Sequence, residues 1–263
     1  MQPLVLLPLT GIGEIGAATS AGACGASALA GILHAALRRG GHGLESGDVL
    51  VIAQKAVSKS EGRTLDLNTL IPSPRALELA AITHKDPQLV EAILRESTTV
   101  VRAKPGVLIV RHRLGYVMAQ AGIDRSNLPA TRDGTAPVLL LPADPDASAA
   151  ALRAALATLA GVEVGIIISD SFGRPWRVGT TNVAIGSAGV AAVWDRRGET
   201  DRAGRPLEAT VIANADALAA AAGVVMGETT EGIPAVLIRG YTCPAPHRTA
   251  RELIRPLEED MFQ

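Results

Sequence analysis

Strand-like and helix-like segments alternate along this chain without a regular strand–helix–strand beat. That irregularity predicts an α+β fold of mixed α/β content rather than a simple doubly wound parallel sheet. Two further observations describe its core. Hydrophobic residues make up 48% of the 263 and run throughout, so the chain is long enough to bury about 70% or more of its unfolded surface. Aromatics make up only 2%, two each of Trp, Tyr and Phe, which leaves the core to Ala, Val, Leu and Ile.

The elements follow in order. Leu4 to Leu9 reads as a short buried strand ending in Thr10-Gly11-Ile12-Gly13. An Ala- and Gly-rich stretch leads into a helix over about 27–39, stopped at Gly40-Gly41 because glycine tolerates the left-handed cap. DVLVIAQKAVSKSEGR (48–63) predicts a strand running into a polar turn. From about 75 to 96 the pattern is helical, with Pro72 and Pro74 before it and Pro87 breaking it. VLIVRHRLGYVMAQAGID (107–124) resembles a hairpin turning near Leu114-Gly115. ASAAALRAALATLA (147–160) predicts a helix, with Asp144 and Asp146 placed to favour the positive end of its dipole. VEVGIIISDS (162–171) is the clearest buried strand; ATVIANADALAAAAGVVMGE reads as strand then helix, and IPAVLIRG (233–240) as a last strand. The closing residues are charged and irregular. No repeat, linker or charge run marks a firm boundary, so the expectation is one domain over 1–243 and a charged tail over 244–263.

Composition excludes several classes. Lys plus Arg is 25 against 26 for Asp plus Glu, a net charge of −1, so no basic field attracts a polyanion. With so few aromatics there is little material for base stacking, and no nucleic-acid partner is expected. Two cysteines cannot make a disulfide framework or a four-ligand zinc site. The N-terminal stretch lacks a basic region, and no segment has the 18 or so apolar residues of a membrane span; the expectation is a cytoplasmic protein.

Gly11-Ile12-Gly13-Glu14-Ile15-Gly16 matches the dinucleotide fingerprint and follows an apolar strand. In a Rossmann unit an acid that binds the ribose lies about 20 residues on, at the end of the next strand. Here the next strand begins more than thirty residues on, and its acid, Asp48, precedes it. A nucleotide role survives without that fold, because a loop of little bulk lets backbone approach a phosphate. The P-loop pattern does not occur in the chain.

More weight falls on polar groups at strand ends, where α/β-type sheets place ligands. Asp124 ends one predicted strand, with Asn127 three residues on; Asp170-Ser171 ends IIISDS; Glu228 follows the small-residue helix; Gln54 and Lys59 follow strand 49–53. Two aspartates, a glutamate and a hydroxyl are hard oxygen donors suited to Mg²⁺ or Mn²⁺, and a nearby lysine completes a site for a nucleoside triphosphate. The alternative is that Asp124 and Asp170 are ordinary turn or cap residues. Asp170 is the better functional candidate, because a carboxylate ending an apolar strand is costly to bury without a partner. The five histidines show no metal-ligand spacing. Arg174, Trp176 and Arg177 suit either an anionic substrate or a structural clamp, and DRRGETDRAGR (195–205) reads as a solvated turn.

The segments LPLTGIGEI, AQKAVSKSEGR, AGIDRSN, LLPADPDASAAALR, ISDSFGRPWRVG, VAIGSAGV and VMGETTEGIPAVLIRG, in this order, resemble the coenzyme F420:L-glutamate ligases over about residues 4 to 240. The resemblance implies the gamma-glutamyl-ligase fold, an intertwined homodimer and GTP-dependent addition of L-glutamate to coenzyme F420-0, with further γ-linked additions. It implies nucleotide contacts at Ile12, Gly13, Glu14 and Ile15, at Gln54 and Lys59, and at Asn127. It implies divalent-metal ligands (Mn²⁺ or Mg²⁺, with K⁺ as a further cation) at Asp124, Asp170, Ser171 and Glu228. A nucleotide-closing loop falls on Met226, Gly227, Glu228, Thr229, Thr230, Glu231, Gly232 and Ile233. Lys59 and Asp170 are the implied catalytic residues.

Three positions depart from the family pattern. Ser171 stands for a usual threonine and keeps the hydroxyl. Gln54 stands for a common serine, and Gly13 for a frequent proline, which loosens the loop. The chain ends at Gln263, as expected for the stand-alone ligase rather than for members with a flavin-dependent domain. Two rival readings are a Rossmann-type NAD(P) oxidoreductase resting on Gly11 to Gly16, and a non-catalytic deazaflavin-binding protein.

Overall fold

The apolar runs read above become strands and helices over residues 3–16, 25–125 and 137–260, which the computed structural model describes. In chain order these are β1 (Val5–Pro8), α1 (Ala26–Arg39), β2 (Val49–Ala53), α2 (Gln54–Ser60), β3 (Thr64–Leu65), α3 (Pro74–Thr83), α4 (Pro87–Arg95), β4 (Ser97–Lys104) and β5 (Val107–His112). There follow β6 (Val117–Ala119), β7 (Val138–Leu139), α5 (Pro145–Ala160), β8 (Gly165–Arg174), β9 (Arg177–Ala188), β10 (Val193–Asp195), β11 (Val211–Ala213), α6 (Asn214–Met226) and β12 (Ala235–Arg239). The mixed α/β content agrees with the expected class. The chain groups into two units: Met1–Glu61, Asp144–Ser171 and Thr181–Leu253 form the first, Gly62–Ala143, Phe172–Thr180 and Ile254–Gln263 the second.

The first unit is built on a five-stranded sheet in the order β1-β12-β2-β8-β9. Strand β2 runs parallel to β8 (Leu50 opposite Ile166) and antiparallel to β12, which is antiparallel to β1. Strand side chains alternate between faces. Val49, Val51, Ile167, Val236 and Ile238 form one apolar cluster with Ala215, Leu218, Ala219, Ala222 and Met226 of α6. The intervening Leu50, Ile52, Ile166, Ile168 and Leu237 are buried as well. Burial on both faces is why β2, β8 and β12 read as continuous apolar runs. Helices α1 and α5 pack on each other and bury Leu29, Leu33, Leu37, Leu152 and Leu156. Helix α5 starts as expected: Asp144 accepts from the Ala147 N–H at 3.1 Å, and Gly161 ends it in the left-handed region at φ 70°. Such a cap contributes about 1 kcal/mol.

In the second unit, Leu79, Val90 and Ile93 of α3 and α4 form a core with Leu108 and Val110 of β5, Ile123 and Val138. The helices were expected as one pattern broken at Pro87. They separate because His84 turns left-handed (φ 55°) and Asp86 caps α4 through the Leu89 N–H at 3.0 Å. Strands β4, β5 and β6 form a separate three-stranded sheet, and β3 pairs with β7.

Three expectations are corrected. The polar stretch after β2 is helix α2, not a turn. Strand β8 runs on through Arg174 rather than ending at Ser171, because β9 pairs beside it. Strand β4 carries no clear apolar alternation and was not anticipated. Among the described residues no helix is long and apolar enough to cross a membrane.

Candidate active site

In the first unit, four segments at the ends of strands and helices carry the predicted site residues. The loop after β1 holds Ile12, Gly13, Glu14 and Ile15; Ile15 is buried, while Gly13 and Glu14 are exposed. Gly11, at φ 66°, opens the loop, and Arg39 of α1 donates to its carbonyl at 3.0 Å. Helix α2 starts immediately after β2, so Gln54 sits at the end of a buried strand. Its own side chain is buried and accepts from Ser58 Oγ at 3.0 Å, one helical turn on. Lys59 lies in the last turn of α2, and its Nζ stands 3.2 Å from Glu14 Oε2. The lysine side chain is 14% exposed and the glutamate 88%, so a largely covered ammonium meets the loop. Residues 45 positions apart, both expected to touch nucleotide, are thus in contact.

Asp170 and Ser171 follow the buried Ile166–Ser169 run of β8 and are half-buried. Ser169, fully buried, has no hydrogen-bond partner for its hydroxyl among the described residues. Glu228 comes two residues after α6, beyond Gly227, whose φ 71° and ψ 179° suit only glycine. It is exposed and accepts from Asn182 Nδ2 of β9 at 3.0 Å. In the same loop the Glu231 carboxylate accepts from the Thr229 N–H at 2.8 Å. Backbone N–H groups of Glu231, Thr229 and Thr230 hold it below the usual carboxylate range. Amide groups that gather one anion in this way form the kind of cradle that also takes a phosphate. Met226 is buried in the α6 core, Ile233 packs against that core, and Thr230 and Gly232 are exposed.

Asp124 belongs to the second unit. Its backbone exchanges two hydrogen bonds with Leu139, at 3.0 and 2.8 Å, so the residue is fixed at the edge of β7. One residue upstream, before the extended Ile123, Gln120, Ala121 and Gly122 are all left-handed (φ 55°, 54° and 67°). Two consecutive non-glycine residues there cost about 1–2 kcal/mol each, and such strain gathers at functional sites. Lys85 Nζ holds Gln120 Oε1 at 2.9 Å. Asn127 and Cys24 lie outside the described residues.

Of the expected metal ligands, Asp170, Ser171 and Glu228 lie in the first unit and Asp124 in the second; all are oxygen donors, a type that suits a hard divalent cation and not zinc. Among the described residues no group of three or more His, Cys, Asp or Glu side chains is placed to hold a metal ion. Sequence reasoning missed Asn182, which sits in an unanticipated strand at the first buried position after its polar, exposed half.

Other candidates resolve differently. Asp48 accepts from Arg239 Nε at 2.9 Å and Nη2 at 2.7 Å, a structural pair that removes it as the acid of a dinucleotide fold. Arg174, Trp176 and Arg177 are exposed at the β8–β9 tip. The 195–205 loop is solvated as expected, laced by Asp195–Arg197, Arg196–Glu199 and Asp201–Arg205 pairs.

A family model described as F420-0:Gamma-glutamyl ligase matches residues 25–240. The chain is similar to a protein named coenzyme F420:L-glutamate ligase from Methanothermobacter thermautotrophicus, 47% identical over 89% of this chain and 92% of that one. Proteins of the same name from Methanocaldococcus jannaschii and Haloarcula marismortui are 46% and 43% identical, each over 84% of this chain and over 86% and 85% of their own lengths.

Proposed function

The chain belongs to the F420-0:gamma-glutamyl ligase family, and on that premise we propose that it joins L-glutamate to coenzyme F420-0 at the expense of GTP and extends a γ-linked tail. The observation that carries the nucleotide reading is the contact of Lys59 with Glu14, which sets a covered ammonium against a low-bulk loop.

The acceptor carboxylate attacks the γ-phosphorus of GTP, giving an acyl phosphate and GDP. The amine of glutamate then attacks the acyl carbon, phosphate leaves, and the amine gives up a proton. Lys59 neutralises charge on the transferring phosphoryl group, and the loop amides orient the triphosphate. Asp124, Asp170, Ser171 and Glu228 would hold the divalent ion, Mn²⁺ or Mg²⁺, which would supply charge stabilisation to the phosphoryl group in transfer. K⁺ is a further cation of the reading. The acceptor and amine then need only be held in line, since positioning supplies much of the rate. The protein works as a homodimer. Trp176 and Val178, 88% and 101% exposed at the β8–β9 tip, are apolar surface that a second copy would cover; light scattering reads the oligomeric state.

The test is incubation of the pure protein with F420-0, L-glutamate, GTP and Mn²⁺ or Mg²⁺, followed by mass spectrometry. Glutamate-sized increments that vanish without GTP or metal are the expected result, and Asp170→Asn should abolish them in a folded protein. No increment with GTP untouched would overturn the reading. Deazaflavin binding without GTP consumption would then favour a carrier.

A further inference from the structure

Glu228 is held from below by a side chain that no part of the catalytic reading includes. Asn182 lies on β9 and is buried, yet its amide Nδ2 reaches Glu228 Oε1 at 3.0 Å. Only the NH₂ of an asparagine can donate to a carboxylate, so chemistry fixes the orientation of the amide. Asn182 reaches that position past Gly223 in α6. A Cβ on Gly223 would stand 2.4 Å from Asn182 Nδ2 and 2.8 Å from its Cγ. The glycine interrupts an otherwise alanine-rich helix, ALAAAAGVV, at the one turn that the asparagine crosses. A glycine there disfavours the helix relative to alanine, so it needs a packing reason, and the asparagine supplies one.

We propose that Asn182, admitted by Gly223, is a positioning residue for the metal-binding carboxylate of Glu228, an inference that rests on Glu228 being a ligand. The amide engages Oε1, and Oε2 has no partner among the described residues, which leaves it for the cation. Glu228 follows a glycine and is exposed, so backbone alone does not fix its rotamer. The buried amide does. Outer partners of metal-bound carboxylates work in this way, and their loss weakens metal binding about 10–100-fold.

The probe is Mn²⁺ alone, titrated into the intact protein, with free Mn²⁺ read by electron paramagnetic resonance and folding read by circular dichroism. Asn182→Ala should weaken Mn²⁺ binding by about 10–100-fold while the fold persists. Asn182→Asp, equal in size but turned from donor to like-charged acceptor, should weaken it at least as much; a packing role would instead spare Asp and punish Ala. Gly223→Ala should weaken binding in the same direction although alanine favours the helix, and with Asn182→Asp it carries the test if Asn182→Ala does not fold. If Glu228→Gln and the unaltered protein bind Mn²⁺ alike, including not at all, the ligand reading fails and takes this inference with it. If Glu228→Gln binds weakly while Asn182→Ala and Gly223→Ala match the unaltered protein, the positioning role alone is overturned.

Discussion

Replacing Asp48 by alanine tests whether the acid that precedes β2 serves the fold or a nucleotide. Its carboxylate, 2% exposed, takes Arg239 Nε at 2.9 Å, Arg239 Nη2 at 2.7 Å and the Glu45 N–H at 2.8 Å. The pair ties the residue before β2 to the last residue of β12, its sheet neighbour. Two charge-assisted hydrogen bonds contribute about 1.5–3 kcal/mol each. Arg239 is 28% exposed and keeps Glu45 Oε1 at 2.7 Å and the Gly43 carbonyl at 2.6 Å, so its charge is not stranded. The lower end applies: about 3 kcal/mol for Asp48→Ala, the floor of the range for breaking a buried pair. At about 2–4 °C per kcal/mol for a chain of this size, Tm should fall by about 6–12 °C. Asp48→Asn keeps the shape and one acceptor and should cost about half as much. Differential scanning fluorimetry reads the shift, and GTP titration reads the site, which should be unaffected in the folded variant. A Tm loss under about 2 °C would refute the structural assignment. Lost nucleotide binding at full stability would return Asp48 to the ribose.

Three further outcomes follow from the same geometry. In the second unit the His112 ring, 3.4 Å from Glu96, and then the Arg113 and Arg63 guanidiniums hold the Glu96 carboxyl below its ordinary 4.5. Its stabilising contribution is present above that value and is lost as pH falls through the lowered one, so Glu96→Gln should destabilise at pH 7 and flatten the acid limb of urea-denaturation midpoints. Burial pushes Asp216 above its ordinary 3.8, against the opposing Ala184 N–H. Its ionised form therefore penalises the fold above the raised value, and Asp216→Asn should raise the urea midpoint at pH 7, with the gain gone below 3.8. Gly227→Ala would set a Cβ 2.1 Å from Glu231 Cδ at a φ of 71°; it should cost about 1–3 kcal/mol and raise the KM for GTP, and an unchanged KM would detach this loop from the nucleotide.

Much of the first unit was legible because its strands are buried on both faces and its helices carry caps. VLVIA, GIIIS and AVLIR need no partner to be recognised, and Asp144 and Gly161 mark the two ends of α5 in the sequence itself. The elements that escaped depend on neighbours. Strand β4 is half-exposed, with register shifts between Ser97 and Thr99 and between Val100 and Arg102, so its apolar residues keep no period of two. The outer half of β9, RVGTT, is polar and exposed and is a strand because β8 runs beside it. QKAVSKS looks like a turn until the end of β2 is seen to hand the chain straight into a helix.

The site was legible as a set of residue types and not as a set of contacts, and the difference is one of distance along the chain. Lys59 meets Glu14 across 45 positions, Asn182 meets Glu228 across 46, and Arg239 meets Asp48 across 191. No spacing rule reaches so far. The same limit explains why carboxylates could not be sorted from sequence. Asp48 and Asp146 stand beside strand and helix starts much as a functional acid would. Yet Asp146 accepts from the backbone N–H groups of Ser187, Ala250 and Arg251, and Asp48 from an arginine fork. A carboxylate whose oxygens are all engaged by its own chain has nothing left for a cation. Glu228, exposed and met by a single buried amide, keeps one oxygen for a ligand, so among these carboxylates the number and kind of partners separates structural from functional.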